Sequence, residues 1–583
     1  MLKGIAVSSG IGLAKAVVIK NKLPAMEPQL IRGEALDQEL QKLKDAIALS
    51  HRQLETLYEN AKEALGDDAK IIKAQITMLH DPEIRDDIQT AITKYLWNAA
   101  YAAQVVFDEQ IEALSAIDDA YIRERVADFV DIKVRLLRNL TGNHFELTIG
   151  EEAILVCDML TPSQTANLNP DYVKGLICES GGATSHAAIL ARGLGIPTIM
   201  GCADCTSTLG QQDSAGTHPL VFIDGSKGEA FIVTEAGERD RLRREIEQAA
   251  MVKADLLVLR DLPSVTADRK AIGLSANVGS LEEVPLSAQY GGEGIGLFRT
   301  EFLYMKGTEP PSEEAQFIIY KKTVEQLEGQ KAVFRTFDIG GDKEVSCLHI
   351  PKEENPFLGW RAVRISLDER ALFETQLRAL LRASAFGSIQ IMIPMISSVS
   401  ELRAVREILE KVKADLREEN IAFDEGIALG IMIEIPSAAI CADTLIQEAD
   451  FFSIGTNDLI QYTLAVDRGN DKISNYYDFF HPAVLRLVKQ TIDAAREAGK
   501  PVSMCGEAAG DPVATLLLLG LGLREFSMSP AQLLKVKKIV NCVDMVFAET
   551  VAEAAMQLKT GEEIKGFLMG KLEAMELDYL IRV

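Results

Sequence analysis

Apolar positions along this chain change their period twice. Near the amino terminus they alternate loosely, Gly4-Ile5-Ala6-Val7 and then Ala14 to Ile19, around Ser8-Ser9-Gly10-Ile11-Gly12. That pattern predicts two strands joined by a turn. From Glu34 the spacing of Leu36, Leu40, Leu43, Ile47, Leu54 and Leu57 keeps one face apolar over many turns, so a long helix is predicted, stopped by Gly66. A shorter helix follows to Leu79, and Asp81-Pro82 supplies an N-cap with proline at the first helical position. Helical patterns continue from Asn98 to about Leu114 and from Asp118 to Leu140. Residues 30–142 read as an all-helical unit of paired long helices.

Strand signals return at Ala153 to Val156, Gly175 to Cys178, Thr198 to Met200, Leu220 to Ile223 and Ala230 to Val233. Grouped with the first strands, they predict a small α/β domain, residues 1–29 and 143–234, into which the helical unit is inserted. Residues 235–262 are charged and helical, with Glu238-Arg239-Asp240-Arg241 intermixed, as suits a solvated linker helix. From 263 to 583 short apolar strands alternate with amphipathic helices. The strands are Ile272 to Val278, Ile295 to Arg299, Ala332 to Ile339, Ile389 to Met395, Ile427 to Ile435, Phe451 to Ile454, Val502 to Met504 and Glu525 to Met528. Such β/α repeats predict a (β/α)₈ barrel.

Composition adds limits rather than detail. A chain of 583 residues is too long for one core, so roughly three or four domains are expected. Apolar residues make up 47% and charged residues 25%, which are ordinary globular values. The longest apolar runs, such as Thr515 to Leu523, are too short to span a bilayer, and no signal-peptide pattern opens the chain. A cytoplasmic protein without membrane insertion is expected. A net charge of −25 argues against nucleic-acid or phospholipid binding and favours a basic partner. The acidic helix tips, Glu63, Asp67, Asp68, Asp81 and Glu83, serve either as helix caps or as a docking face. The eight cysteines are scattered; Cys202-Ala-Asp-Cys205 offers a redox or metal pair, but it lacks a second Cys/His pair at zinc spacing and reads as structural.

Two places carry candidate chemistry. At Gly181-Gly182-Ala183-Thr184-Ser185-His186 an apolar strand turns into a helix, with His186 in its first turn. Unpaired N–H groups at such a turn favour a phosphate, and the imidazole could accept a phosphoryl group. The plainer reading is a left-handed turn whose histidine hydrogen-bonds a neighbour. In the barrel, chemistry belongs at the carboxyl ends of the strands. There lie Arg299-Thr300-Glu301, Arg335 with Asp338, Glu434, Asn457-Asp458 and Cys505-Gly506-Glu507, with Arg361 and Arg468 in the loops that follow. Arginines suit a phosphate or carboxylate, and Glu434 and Asp458 offer hard oxygens for Mg²⁺. The rim reads as a site for a small phosphorylated acid held on a metal, with structural ion pairing as the alternative. Cys505 is either an inert small hydrophobe or, with its pKa lowered by the arginines, a proton donor to a carbanion or enolate.

Together these motifs resemble Enzyme I of the bacterial sugar phosphotransferase system, over the whole length and in that family's domain order. The resemblance rests on Thr184-Ser185-His186, Gly296-Leu297-Phe298-Arg299-Thr300-Glu301-Phe302-Leu303, Phe337-Asp338-Ile339-Gly340-Gly341-Asp342-Lys343, Glu354-Asn355-Pro356-Phe357-Leu358-Gly359-Trp360-Arg361, Gly455-Thr456-Asn457-Asp458-Leu459, Gln461-Tyr462-Thr463-Leu464-Ala465-Val466-Asp467-Arg468 and Met504-Cys505-Gly506-Glu507. It implies a swivelling phosphohistidine α/β domain with an inserted carrier-docking subdomain, a linker helix and a phosphoenolpyruvate-binding TIM barrel that forms the homodimer. It further implies that phosphoenolpyruvate phosphorylates His186, whose Nε2 passes the group to a histidine of the carrier protein HPr. Arg299, Arg335 and Arg468 would contact the phosphate, Asn457 and Arg361 the substrate, and Glu434 and Asp458 would hold Mg²⁺. Cys505 would protonate the enolate, and Thr184 is a candidate to orient His186.

Ala183 departs from the family, which often has Arg there, so another cation would be needed beside the histidine. A dikinase or synthase relative would carry a large ATP-binding domain ahead of the histidine, for which the helical first 150 or so residues leave no room and no glycine-rich phosphate loop. A regulatory, nitrogen-type paralogue serving another carrier would carry an amino-terminal sensory domain, and none precedes Met1-Leu2-Lys3-Gly4.

Overall fold

The leucine stripe of the first long helix is buried as its spacing requires. In the computed structural model the helices α1 (Leu36–Leu65), α2 (Lys70–Leu79), α3 (Pro82–Tyr95), α4 (Ala99–Ser115) and α5 (Ala120–Thr141) share one core. Leu43, Ile47, Leu54 and Leu57 of α1 face Ile132, Leu136 and Leu137 of α5 within it. Each such side chain contributes about 1.5–3 kcal/mol relative to exposure. Asp81 caps α3, its carboxylate accepting from the Glu83 N–H at 2.9 Å with Pro82 at the first helical position.

The structure describes residues 1–583 apart from 9, 20–25, 66–69, 116–119, 143–149, 159, 161–167, 182–187, 189–190, 193, 211–217, 306–308, 342–344, 346, 349, 352, 469 and 583. The chain divides into two compact units, Met1–Ala250 and Met251–Val583. The first holds the helices above and an eight-stranded mixed sheet. Its strands are β1 (Leu2–Lys3), β2 (Ile5–Ser8), β3 (Ile11–Ile19), β4 (Ala153–Cys157), β5 (Val173–Cys178), β6 (Thr198–Met200), β7 (Leu220–Asp224) and β8 (Glu229–Ile232). They lie in the order β1-β8-β7-β3-β4-β5-β6-β2. The strands on either side of the helical stretch, β3 and β4, are therefore direct neighbours, paired in parallel from Lys15↔Ala153 to Ile19↔Cys157. A short helix, α6 (Cys205–Leu209), follows β6, and α7 (Ala236–Leu257) follows β8.

The second unit is the closed parallel barrel that the alternating pattern predicts. Its strands are β9 (Gly273–Val278), β10 (Gly294–Arg299), β11 (Lys331–Arg335), β12 (Ile389–Ile393), β13 (Ala428–Ile433), β14 (Phe452–Ile454), β15 (Val502–Met504) and β16 (Glu525–Met528), and β16 pairs with β9 to close the ring. Leu297, Val333, Met392, Met432, Phe451 and Cys505 form one interior cluster. Three strands end earlier than their apolar runs suggest. After Arg335 the Phe337 N–H goes to Oε1 of Gln376 at 3.0 Å, so the chain leaves the sheet and Ile339 lies beyond the strand. Met395 stands at φ 59° and gives its N–H to Glu434 instead of the ladder. β13 stops at Ile433, and Ile435 is the N-cap of the next helix.

Candidate active site

Eight of the residues singled out from sequence fall at one end of the barrel. Arg299 and Arg335 are the last residues of β10 and β11, Glu434 follows β13, and Cys505 follows β15. Asn457 and Asp458 lie in the first turn of the helix Thr456–Leu464, just after β14. Arg361 and Arg468 come from the connections beyond β11 and β14. His186 and Thr184 lie outside the described residues, as does Ala183. Of their surroundings, β5 ends at Cys178, Gly181 takes the left-handed φ of +110°, and Ala188 and Ala191 are buried.

The centre of the rim is a chain of buried ion pairs. Asp338 accepts from Arg361 Nη2 at each of its carboxylate oxygens, at 2.9 and 3.1 Å, and stands 3.3 Å from Arg335 Nη1. Arg335 also pairs with Glu301 through Nη2. Arg361 Nη1 reaches Asp458 at 3.3 Å and the Tyr462 hydroxyl at 3.1 Å. Arg361 is only 1% exposed. Burial alone would lower its pKa, but Asp338 and Asp458 outweigh that and raise it, and Glu301 and Asp338 do the same for Arg335. Both guanidinium groups are therefore fixed cations.

Backbone geometry holds them in place. Gly340 stands at φ +94°, and a Cβ there would lie 2.8 Å from the Cβ of Arg361. Ala362, directly after Arg361, is held at φ 50°, a strain of roughly 1–3 kcal/mol that the surrounding contacts impose. At Gly506 a Cβ would sit 1.8 Å from the Thr456 hydroxyl, so only glycine lets the Cys505 turn close on the Asn457 helix. Asn457 and Glu507 then bond reciprocally, at 3.3 Å side chain to side chain and 3.1 Å from the Glu507 N–H. The Tyr477 hydroxyl donates to the Asn457 carbonyl at 3.1 Å, and Arg468 acts electrostatically on the same tyrosine.

Cys505 corrects the sequence reading. Its thiol is pushed up, not down, because burial outweighs Arg335 and Arg299. It stays protonated at neutral pH, which suits a donor of protons better than a nucleophile. Glu434 is likewise pushed up, to about 8, by burial and then by Asp458 and Asp338.

Glu301, Asp338 and Tyr462 were legible as members of the quoted motifs, the two carboxylates also as strand-end residues, but their ion pairs and contacts were not, and Tyr477 gave no signal.

Residues 253–545 match the model of the PEP-binding domain of PEP-utilising enzymes, 3–125 that of their N-terminal domain and 149–228 that of their mobile domain. A phosphoenolpyruvate-protein phosphotransferase of Haemophilus influenzae is 44% identical over 567 residues, 97% of this chain and 98% of its own. The chain belongs to the phosphoenolpyruvate-protein phosphotransferase family. Relatives of the same name from Priestia megaterium and Geobacillus stearothermophilus are each 42% identical, covering 97% of this chain and 98% and 97% of theirs. No helix among the described residues is long and apolar enough to cross a membrane.

Enzymes of this family need a divalent metal. Among the described residues no group of three or more His, Cys, Asp and Glu side chains is set to hold one. Two carboxylates suffice for an ion that keeps its waters and takes the remaining oxygens from substrate. Glu434 and Asp458 fit that role, because the raised pKa of Glu434 marks a place where negative charge lacks compensation. A pH dependence follows. Between the ordinary 4.5 and about 8 the folded chain binds a proton at Glu434 that the unfolded chain does not. Stability measured in chelator should therefore fall as pH rises through that window and level off above it. Added divalent metal should remove the slope, and Glu434→Gln should lack it, in thermal melts across the window.

Proposed function

We propose that this chain takes the phosphoryl group of phosphoenolpyruvate onto Nε2 of His186 and passes it to a histidine of HPr, the first step of phosphotransferase-system sugar uptake. Membership of the family makes the chain an enzyme of phosphoryl transfer from phosphoenolpyruvate. The observation that carries the reading is the joined rim, where two buried, permanently charged arginines stand beside Glu434, Asp458 and a protonated Cys505.

In this reading Arg299, Arg335 and Arg468 bind the phosphate of phosphoenolpyruvate, and Asn457 and Arg361 hold the rest of the substrate. Glu434 and Asp458 would hold Mg²⁺, which when bound would supply positive charge for the transfer. Phosphoryl transfer needs in-line placement and positive charge at the equatorial oxygens, and arginines fixed by buried carboxylates supply both without reorganising. The His186 lone pair takes phosphorus as the bond to the enol oxygen breaks. Cys505 then gives its proton to the methylene carbon, so the enolate leaves as pyruvate and the thiolate regains a proton from solvent. Thr184 orients the imidazole by holding its other nitrogen. With Ala183 where an arginine often stands, another cation must face the phosphohistidine. The helical stretch docks HPr, the barrel forms a homodimer, and the protein works in the cytoplasm.

Incubation of the purified chain with phosphoenolpyruvate and Mg²⁺, followed by mapping of acid-labile phosphate, tests this. Label should appear on His186 without ATP, chase to HPr, and vanish in His186→Ala. Label that requires ATP, or that never leaves for HPr, would move the chain to another carrier or another reaction.

A further inference from the structure

Four of the eight cysteines lie in the first unit, Cys157 and Cys178 at the carboxyl ends of β4 and β5 and Cys202 and Cys205 after β6. Cys157 and Cys178 are register partners on those strands, with sulfur atoms 3.2 Å apart. Cys205, the first residue of α6, directs its thiol at the carbonyls of Cys157 and Ile177, each 3.9 Å away. Cys202 precedes it across Ala203 and Asp204, and all four are free thiols buried in the fold.

We propose that Cys202 and Cys205 are a redox-active dithiol whose closure to a disulfide reshapes the turn bonded to the end of β5 at Cys178 and Glu179. The Cys205 N–H donates to the Cys202 carbonyl at 3.3 Å, and Asp204 stands at φ 56°, so residues 202–205 form a tight turn. The ends of such a turn lie within about 7 Å, the upper limit of what a disulfide spans. The two thiols are unequal. Interaction with Cys205 holds the Cys202 thiol below its ordinary value, and Cys202 together with burial raises Cys205. Cys202 is thus the attacking thiolate and Cys205 the resolving thiol. Cys157, pushed up by its bond to Cys178 and by burial, is the inert member of the cluster.

The turn is fastened to the strand that leads to the histidine. The Cys202 N–H donates to the Cys178 carbonyl at 2.9 Å, and the N–H and hydroxyl of Thr206 both donate to Glu179, at 2.9 and 2.5 Å. Drawing Cys202 and Cys205 together reshapes the turn that these bonds connect to Cys178 and Glu179. The oxidant is a low-molecular-weight disulfide. Cys202 attacks one of its sulfurs and a small thiolate leaves; Cys205 then attacks the Cys202 sulfur and a second small thiolate leaves. The two cysteine protons end on the two small thiols, so two protein thiols are oxidised and one disulfide is reduced. Because both sulfurs are buried, the exchange proceeds through local opening of the turn.

The effect on transfer rests on the reading of His186 as the phosphoryl acceptor. The full chain is equilibrated with reduced and oxidised glutathione, quenched in acid, alkylated and mapped for disulfides, and in parallel its initial rate of labelling by phosphoenolpyruvate is measured. A Cys202–Cys205 disulfide should form, the rate should fall severalfold, and dithiothreitol should restore it. Cys202→Ala with Cys205→Ala should label at the reduced wild-type rate and lose the sensitivity. Absence of that disulfide, a disulfide that leaves the rate unchanged, or sensitivity that persists in the double variant would each overturn the proposal. Label mapped away from His186 in the reduced protein would instead overturn the acceptor reading, which the disulfide map does not depend on.

Discussion

Asp338→Ala is expected to cost the barrel about 3–5 kcal/mol of stability and phosphoenolpyruvate-dependent labelling about a hundredfold or more. Asp338 is 2% exposed and is the shared partner of Arg335 and Arg361. Its removal strands buried guanidinium charge in a site where water cannot replace the lost acceptor. The stability loss and the activity loss have different remedies, which makes the case testable. Asp338→Ala combined with Arg361→Met replaces the pair by apolar groups, so melting should recover toward wild type while labelling should not. If activity recovers with stability, the two arginines do not act on substrate and Asp338 merely caps the barrel. Asp338→Asn keeps the shape without the charge, and should lose more activity than stability.

Cys505→Ala is expected to divide the reaction in two. Transfer from phosphoenolpyruvate should fall about 10²–10⁴-fold, the usual worth of a placed general acid. An enzyme prephosphorylated on the histidine should still pass its phosphoryl group to the carrier at the wild-type rate. Equal loss in both halves would remove the proton-donor role. The raised thiol sets the pH behaviour. Cys505 lies above the ordinary 9.0, so the donor form persists throughout neutral pH and is lost only in alkali. A decline in the wild-type rate between pH 6 and 8 assigned to this thiol would contradict that.

Local pattern was enough to place most of the scaffold. The period of α1, the Asp81-Pro82 start of α3 and the eight short apolar runs of the barrel depend on neighbours a few residues away, so they are legible in a single chain. The rule that barrel chemistry sits at strand ends then located Arg299, Arg335, Glu434 and Cys505. Strand ends were less legible, because Phe337 and Met395 give their N–H groups to Gln376 and Glu434, which are distant in sequence.

What the amino-acid sequence determined by itself was therefore the order of elements and the residue types offered at the rim. Tertiary structure decided what those residues are. Asp338 becomes a bridge only when Arg335 and Arg361, brought by different connections, converge on it. The arginines suggested a lowered Cys505, yet burial raises it, and burial also raises Glu434. The Cys202/Cys205 pair read as structural until the fold set the Cys205 thiol against the Cys157 and Ile177 carbonyls. The physical reason is common to all three. Helix and strand formation respond to local sequence, whereas pKa values, ion pairs and thiol contacts respond to desolvation and to charges that only the folded chain brings within reach.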